Sequence, residues 1–172
     1  MKSSSSYTKI ELTQNKFCIV DLIDSDLVNV KWCAIKQGKN IIRYRAVRKG
    51  VVDAVYKTII MHRVIMERTM GRKLEHHEHI DHINHDTLDN RRSNLRLVTN
   101  AQNQMNRRKG PNCSSPYKGV SWDYSRGMWT SQITFNQQHF ALGRYATEEE
   151  AAQVYDNKAK EFFGEFAHLN FP

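Results

Sequence analysis

Residues 80–103 read IDHINHDTLDNRRSNLRLVTNAQN, and the rest of the chain is organised around them. IDHI (80–83) alternates apolar and polar side chains, which predicts a short strand. In a regular strand Asp81 and His82 face opposite ways, unless the strand is twisted or bulged. NHDTLDNRR follows, a loop rich in Asn and Asp, residues that tolerate turn conformations. NLRLV (94–98) predicts the return strand. VTNAQNQ then opens a helix, with Thr99 as N-cap, Gln102 completing a capping box and Asn103 in the first turns.

These residue types suit phosphodiester cleavage. That reaction needs an activated water, neutralisation of charge on the phosphoryl oxygens and a stabilised leaving oxygen. A hard divalent cation held by oxygen ligands serves the last two needs. Asp81 and the side-chain carbonyl of Asn103 are such ligands, and Mg2+ or Mn2+ is the matching ion. Neutral His82 can take the proton of the water near pH 7. Asn94, across the hairpin, can hold the imidazole or brace the loop, and Arg91, Arg92 and Arg96 can neutralise phosphates.

Asp81-His82-Ile83, Asn94-Leu95-Arg96, Val98-Thr99 and Asn103, in that order, resemble the HNH (ββα-metal) endonucleases of the phage and homing-endonuclease branch. The resemblance implies Asp81 and Asn103 as metal ligands, His82 as general base and Asn94 as the central motif residue. It also implies a helix after Thr99 lying near the minor groove, and products ending in 5′-phosphate and 3′-hydroxyl. Asn84-His85 stands where the family usually has Asp-Gly, a change within the loop. The zinc-binding cysteines of other HNH branches are missing, so no structural zinc is expected. The segments preceding the motif also look like the N-terminal part of these phage proteins.

The surroundings fit a polyanion partner. The 172 residues carry a net charge of +8, and 26% of them are charged. Residues 1–114 hold 21 Lys and Arg against 11 Asp and Glu, whereas residues 115–172 hold 5 against 7. The phosphate-facing charge is therefore expected mostly in the first two thirds. Cys18, Cys33 and Cys113 are scattered, odd in number and never in a CxxC pair, so free thiols in a reducing compartment are expected rather than a disulfide framework. No apolar run approaches the roughly 20 residues of a membrane helix, and MKSSSSY lacks the apolar region of a secretion signal. A cytoplasmic protein with a disordered N-terminal tail is expected.

Before the hairpin, KIEL (9–12), FCIV (17–20), WCAI (32–35), IIRYRAVR (41–48) and YKTII (56–60) predict short strands, with KQGKN (36–40) as a hairpin loop. Arg43, Arg45, Arg48 and Lys49 either follow a phosphate backbone or form a solvated strand face. MHRVIMERTMG (61–71) predicts a helix stopped by Gly71. His62 and Arg63 at its start are either structural or touch a phosphate. His76, His77 and His79 match no standard zinc spacing and read as surface histidines.

After the hairpin helix, Arg107, Arg108 and Lys109 suit both the helix dipole and phosphates, and residues 109–115 read as a linker. From Pro116 the pattern is strand, turn, strand, turn, strand, helix. YKGVSW (117–122), MWTSQITF (128–135) and HFALGRY (139–145) are the strands, and Thr147 with Glu150 forms the capping box of the helix. Its packing face comprises Ala151, Ala152, Val154, Tyr155, Ala159 and Phe162.

Gly119-Val120, Trp129, Leu142-Gly143, Glu149, Ala151-Ala152, Tyr155-Asp156 and Asn170-Phe171-Pro172 resemble the plant AP-two/ERF DNA-binding domain. That family lays its three-stranded sheet in the major groove. Residues 117–145 carry a surplus of two positive charges while the helix is acidic, which agrees with this pose. Lys118, Trp122, Arg126, Trp129, Gln132 and Arg144 are the candidate DNA contacts, with Trp129 alternatively part of the core. Ser121 and Ala141 replace residues of the plant pattern, so the plant target sequence does not carry over.

The expectation is an α+β chain. It comprises a strand-rich region (1–60), a ββα-metal nuclease domain (61–108), a linker (109–115) and an AP-two/ERF-like domain (116–172) of three antiparallel strands packed on one helix. The expected activity is metal-dependent endonucleolytic nicking of double-stranded DNA by a monomer. The rival reading is a catalytically silent DNA-binding regulator.

Overall fold

The computed structural model describes residues 6–38, 42–110 and 113–172. The first five residues of the polar tail, residues 39–41 at the KQGKN loop and its following strand, and residues 111–112 of the linker lie outside the described residues. The chain forms two compact units, Met1–Asn100 and Ala101–Pro172.

In the first unit, β1 (Tyr7–Leu12) and β2 (Lys16–Asp21) form an antiparallel hairpin, followed by a 3-10 helix over Leu22–Asn29. A second sheet has the order β3 (Cys33–Gln37), β4 (Arg43–Val52), β5 (Val55–Ile60). β4 runs four residues beyond the predicted strand. Its turn to β5 places Asp53 and Ala54 at φ +53° and +60°, the left-handed pair of a tight hairpin. Ala is an unusual residue there, so the sequence carried little signal for this turn.

β5 leads directly into α1 (Met61–Met70), which ends as predicted at Gly71. Gly71 has φ +65°, a conformation that costs glycine little, and its N–H caps Arg68 O. Next come β6 (His79–His82), a 3-10 turn over Arg92–Asn94, β7 (Leu95–Val98) and α2 (Asn100–Met105). β6 and β7 pair antiparallel with Asp81 opposite Arg96 and His82 opposite Leu95.

One apolar core joins these pieces, from Ile10, Val20 and Trp32 through Met61 and Ile65 to Leu74 and Leu95. The N-terminal strands also grip the loop between β6 and β7. Ile19 donates its N–H to Leu88 O and accepts from Asn90 N, Thr87 Oγ1 donates to Tyr44 O, and Asp21 Oδ2 accepts from Arg92 N. A loop of polar residues thus gains fixed backbone partners, which its own sequence does not supply.

In the second unit, β8 (Val120–Asp123), β9 (Met128–Phe135) and β10 (Gln138–Tyr145) form an antiparallel sheet of order β10-β9-β8, with a bulge between Ala141 and Gly143. α3 (Glu148–Phe163) packs on it and starts with the predicted box, Thr147 Oγ1 accepting from Glu150 N while Glu150 reaches back to Thr147 N. Ala151, Ala152, Tyr155, Ala159 and Phe163 are buried along one face, with Val154 and Phe162 only partly buried. Asp156 is fully buried on that face, where its carboxylate accepts from the backbone N–H groups of Asn170 and Phe171. Asn170 in turn brackets Lys118 through its N–H and carbonyl. Gly119, at φ +78°, lies so close to the Tyr155 ring that any Cβ would clash.

Candidate active site

The β6–β7 hairpin brings Asp81, His82 and Asn94 together, all three of them buried. The strand register carries no shift, so Asp81 and His82 do occupy opposite faces. Asp81 faces its cross-strand partner Arg96, whose Nε and Nη2 both reach Asp81 Oδ2, at 3.0 and 2.9 Å. His82 faces α1, where the His62 ring stands edge-on at 5.2 Å between centroids.

His82 Nε2 lies 3.2 Å from Oδ1 of Asn90. Burial pushes the His82 imidazole below its ordinary range; the Asn90 hydrogen bond and the Asp81 and Asp86 carboxylates oppose the shift, and Arg45 adds to it. His62 is held well below that range by burial, then by His82, Arg45 and Arg63. Two imidazoles packed together are thus kept neutral, the state in which a histidine can accept a proton.

Asn94 takes the second of its two expected roles. Its Oδ1 accepts from Asn84 N at 3.0 Å and its Nδ2 donates to Asp89 O at 2.7 Å, so it ties the start of the loop to its later half. Asp89 continues the bracing, accepting from Asn84 Nδ2 and from Arg91. Asn103 lies on α2, within the second unit.

The three hairpin arginines are engaged by carboxylates: Arg91 with Asp89, Arg92 with the fully buried Asp24, and Arg96 with Asp81. Arg63 ties down the segment after α1, donating to Leu74 O and Glu75 O and pairing with Glu67. A groove of about 940 Å3 between β4–β5 and α1 is lined by Arg48, Lys57, Arg63, Arg68, Arg72 and Lys73 among others. Carboxylates meet most of these cations too: Lys57 pairs with Asp53, Arg68 with Asp24 and Asp26, Arg72 with Glu78, and Lys73 with Glu67. His76, His77 and His79 are exposed, and among the described residues no three His, Cys, Asp or Glu side chains form a metal cluster.

In the second unit, Arg126, Gln132 and Arg144 are exposed, with both arginines pairing to Asp123. Trp122 and Trp129 pack edge-to-face at 4.9 Å, and Trp129 also packs against Val120, Ala151 and Ala152, so it contributes to the core. Lys118 turns inward and donates to Met105 O, and burial pulls its ammonium down to about 8. Arg107 and Arg108 are exposed.

Sequence reasoning missed Asn90, the residue that touches the His82 ring. In the sequence it is one of several turn-formers in an Asn- and Asp-rich loop, and nothing local sets it apart. It also missed Asp24, and it gave no expectation of burial for Asp156, a position matched only through the resemblance. Asp156 had a signal: it falls at helical spacing between Ala152 and Ala159, on the apolar stripe of α3.

Comparison with known proteins places this geometry. Residues 60–105, which span α1, the hairpin and α2, match a family model described as HNH endonuclease. A protein of Acanthamoeba polyphaga mimivirus, named as an uncharacterized HNH endonuclease, is 37% identical over 98% of this chain and 93% of its own length. Protein 3.8 of Escherichia phage T7 is 30% identical over 53% of this chain and 74% of that protein. An AP2-like ethylene-responsive transcription factor of Arabidopsis thaliana is 42% identical over 59 residues, covering 33% of this chain and 17% of the plant protein. No solved structure matches. With a relative aligned along nearly the whole of both chains and a family model laid over the hairpin that holds Asp81, His82 and Asn94, the chain belongs to the HNH endonucleases.

Proposed function

We propose that this endonuclease hydrolyses phosphodiester bonds of double-stranded DNA with one divalent ion, Mg2+ or Mn2+, and nicks one strand per visit as a monomer. The observation that carries this reading is the paired β6–β7 hairpin itself, which buries Asp81 and His82 on adjacent positions beside a loop braced by Asn94.

The donor chemistry fits a hard cation. The Asp81 carboxylate is buried and already holds a positive charge, the guanidinium of Arg96. Asp81 and the side-chain carbonyl of Asn103 would hold the ion. When bound, the ion supplies charge neutralisation at the phosphoryl oxygens and the leaving oxygen. His82 takes the proton of the attacking water, and Asn94 keeps the hairpin loop in the shape that aims it. Arg91, Arg92 and Arg96 shape the hairpin through their carboxylate partners and present what remains of their charge to phosphate; His62 backs His82, and Arg63 supports α1.

The C-terminal unit serves as an AP-two/ERF-like DNA-binding module. Trp122, Arg126, Gln132 and Arg144 are its DNA-facing residues, supported by Arg107 and Arg108. Lys118 and Trp129 contribute by shaping the sheet. Such a module supplies register and affinity through phosphate and sheet contacts, and tethering raises the local DNA concentration at the hairpin.

The test is cleavage of supercoiled plasmid with Mg2+ or Mn2+, with and without EDTA, by the wild type and His82→Ala. The expected result is metal-dependent open-circular product before linear product, with the His82→Ala rate lower by roughly 10²–10⁴-fold. Cleavage that survives EDTA, or a His82→Ala protein at full rate, overturns the mechanism. DNA binding with no cleavage under any divalent ion overturns the activity.

A further inference from the structure

We propose that the outward face of the β3–β4–β5 sheet is a second surface for double-stranded DNA, with Arg43, Arg45 and Lys49 meeting phosphates and Tyr56 laid along the groove. The inference rests on DNA being the substrate and adds a contact surface in the first unit to the one proposed for the second.

Each unit builds the same arrangement. β3, β4 and β5 form an antiparallel meander with the middle strand in the centre, and β5 runs directly into α1. β8, β9 and β10 do likewise ahead of α3. In both units the helix covers one face of its sheet. Ile65 and Met66 of α1 share a core with Ala34, Ala46 and Ile59, as Tyr155 and Ala159 of α3 do with Ile133. Strand alternation then turns the intervening residues of the first sheet to the opposite face. The register names them: Arg43 stands opposite Gln37, Arg45 opposite Ile35, Lys49 opposite Thr58 and Val51 opposite Tyr56. No Asp or Glu occupies these positions.

The occupant follows from charge. Among the described residues no carboxylate pairs with Arg43, Arg45 or Lys49, whereas Lys57, Arg68, Arg72 and Lys73 on the other side of the sheet all have one. Arg45 is partly buried, and nothing anionic offsets the loss of water around its guanidinium. Beyond this cationic row, Val51 and Tyr56 are 68% and 69% exposed, a cross-strand apolar pair that the fold leaves in water. A two-stranded ribbon fits the major groove of DNA, where cations meet phosphates and apolar side chains meet base edges. At the inner end of the row, Arg45 is close enough to His62 and His82 for its charge to act on both, so the surface is continuous with the candidate active site. A second copy docked on the same face would instead set these cations against themselves.

The test uses the full chain and a short random-sequence duplex in EDTA, so that binding is read without cleavage. In the wild type, a brief acetylation pulse read by mass spectrometry is expected to label Lys49 several-fold less when DNA is present, while Lys158 on α3, paired with Glu161, keeps its rate. Equal labelling of Lys49 with and without DNA, or equal protection of Lys49 and Lys158, overturns the inference whatever the fate of any variant. In parallel, Arg43→Gln combined with Lys49→Gln is expected to lower the slope of log K against log salt by about 2, and Tyr56→Ala to weaken binding without changing that slope. A folded double variant that keeps the wild-type slope overturns the inference. So does one that changes the oligomeric state in sedimentation and leaves DNA binding intact, which would assign the face to a second copy. If that double variant still nicks plasmid with Mg2+, the proposed function stands without this surface, whereas a wild type with no salt-sensitive binding at all removes both.

Discussion

The two units handle charge in opposite ways. In the first, arginines are turned toward buried carboxylates: Arg92 and Arg68 meet at Asp24, which is completely buried, and Arg96 caps Asp81 with only 13% of its own side chain exposed. In the second, Arg126 and Arg144 share one carboxylate, Asp123, while 59% and 47% of their side chains remain exposed. The surplus of positive charge in residues 1–114 therefore overstates what that segment offers to a polyanion. A charge count assigns every lysine and arginine to solvent, but an ion pair with a buried carboxylate directs the guanidinium inward and fixes a fold element instead.

Histidines divide in the same manner within the first unit. His76, His77 and His79, conspicuous as a cluster, are exposed. His62 and His82, twenty residues apart, pack edge-on against each other and are kept neutral. Exposure and partners, rather than clustering along the chain, separate a surface histidine from one suited to proton transfer.

The sharpest way to break the contrast is Asp24→Ala. It leaves two guanidiniums facing each other under the 3-10 helix, and the first unit should lose about 3 kcal/mol, the low end for a broken buried pair because both arginines are about a third exposed and can turn to water. Thermal unfolding should show a fall of roughly 10–20 °C for a unit of this size. An unchanged melting temperature would mean that the inward arginines do not hold the fold.

Acid gives a smaller and graded effect. In the unfolded chain His62 and His82 titrate near 6.5, whereas the folded values lie below that. The unfolded state therefore binds more protons once the pH drops below about 6.5, and stability present above that value is lost as the pH falls toward the folded values. Denaturant midpoints measured from pH 8 to pH 5 should decline across this window, and His62→Gln should flatten the decline. A midpoint independent of pH would place these rings in water.

The smallest effect on stability belongs to the outward pair. Arg126→Ala and Arg144→Ala should each change stability by less than about 0.5 kcal/mol. DNA affinity should nevertheless weaken, with the slope of log K against log salt falling by roughly 1 per arginine removed. Binding that ignores both substitutions would move the DNA-facing surface away from this sheet.

Much of the architecture was legible because it is local. The apolar alternation and turn residues announced β9 and β10, Thr147 and Glu150 announced the start of α3, and Gly71 announced the end of α1. Each signal depends on residues within a turn or two of one another, where backbone geometry alone relates side chain to side chain. The Asp-His pair, the returning Asn and the following helix were legible for the same reason, and the hairpin register then placed Asp81 against Arg96 and His82 against α1.

The turn at Asp53-Ala54 was not legible, because Ala gives no hint of a left-handed conformation. Neither were the polar groups that only the folded chain brings together. Asn90 gains its meaning from Met61 and Ile19, Arg92 from Asp24, and Lys118 from Asn170, across separations of 29, 71, 68 and 52 residues. The sequence by itself determined the hairpin-helix motif, the places of Asp81, His82 and Asn94 on it, and the three strands and helix of the second unit. The tertiary structure alone decided which cations are neutralised, which histidines pack together and which amide meets the His82 ring. Those outcomes depend on burial and on donors meeting acceptors across the core, and neither is encoded in the spacing of residues along the chain.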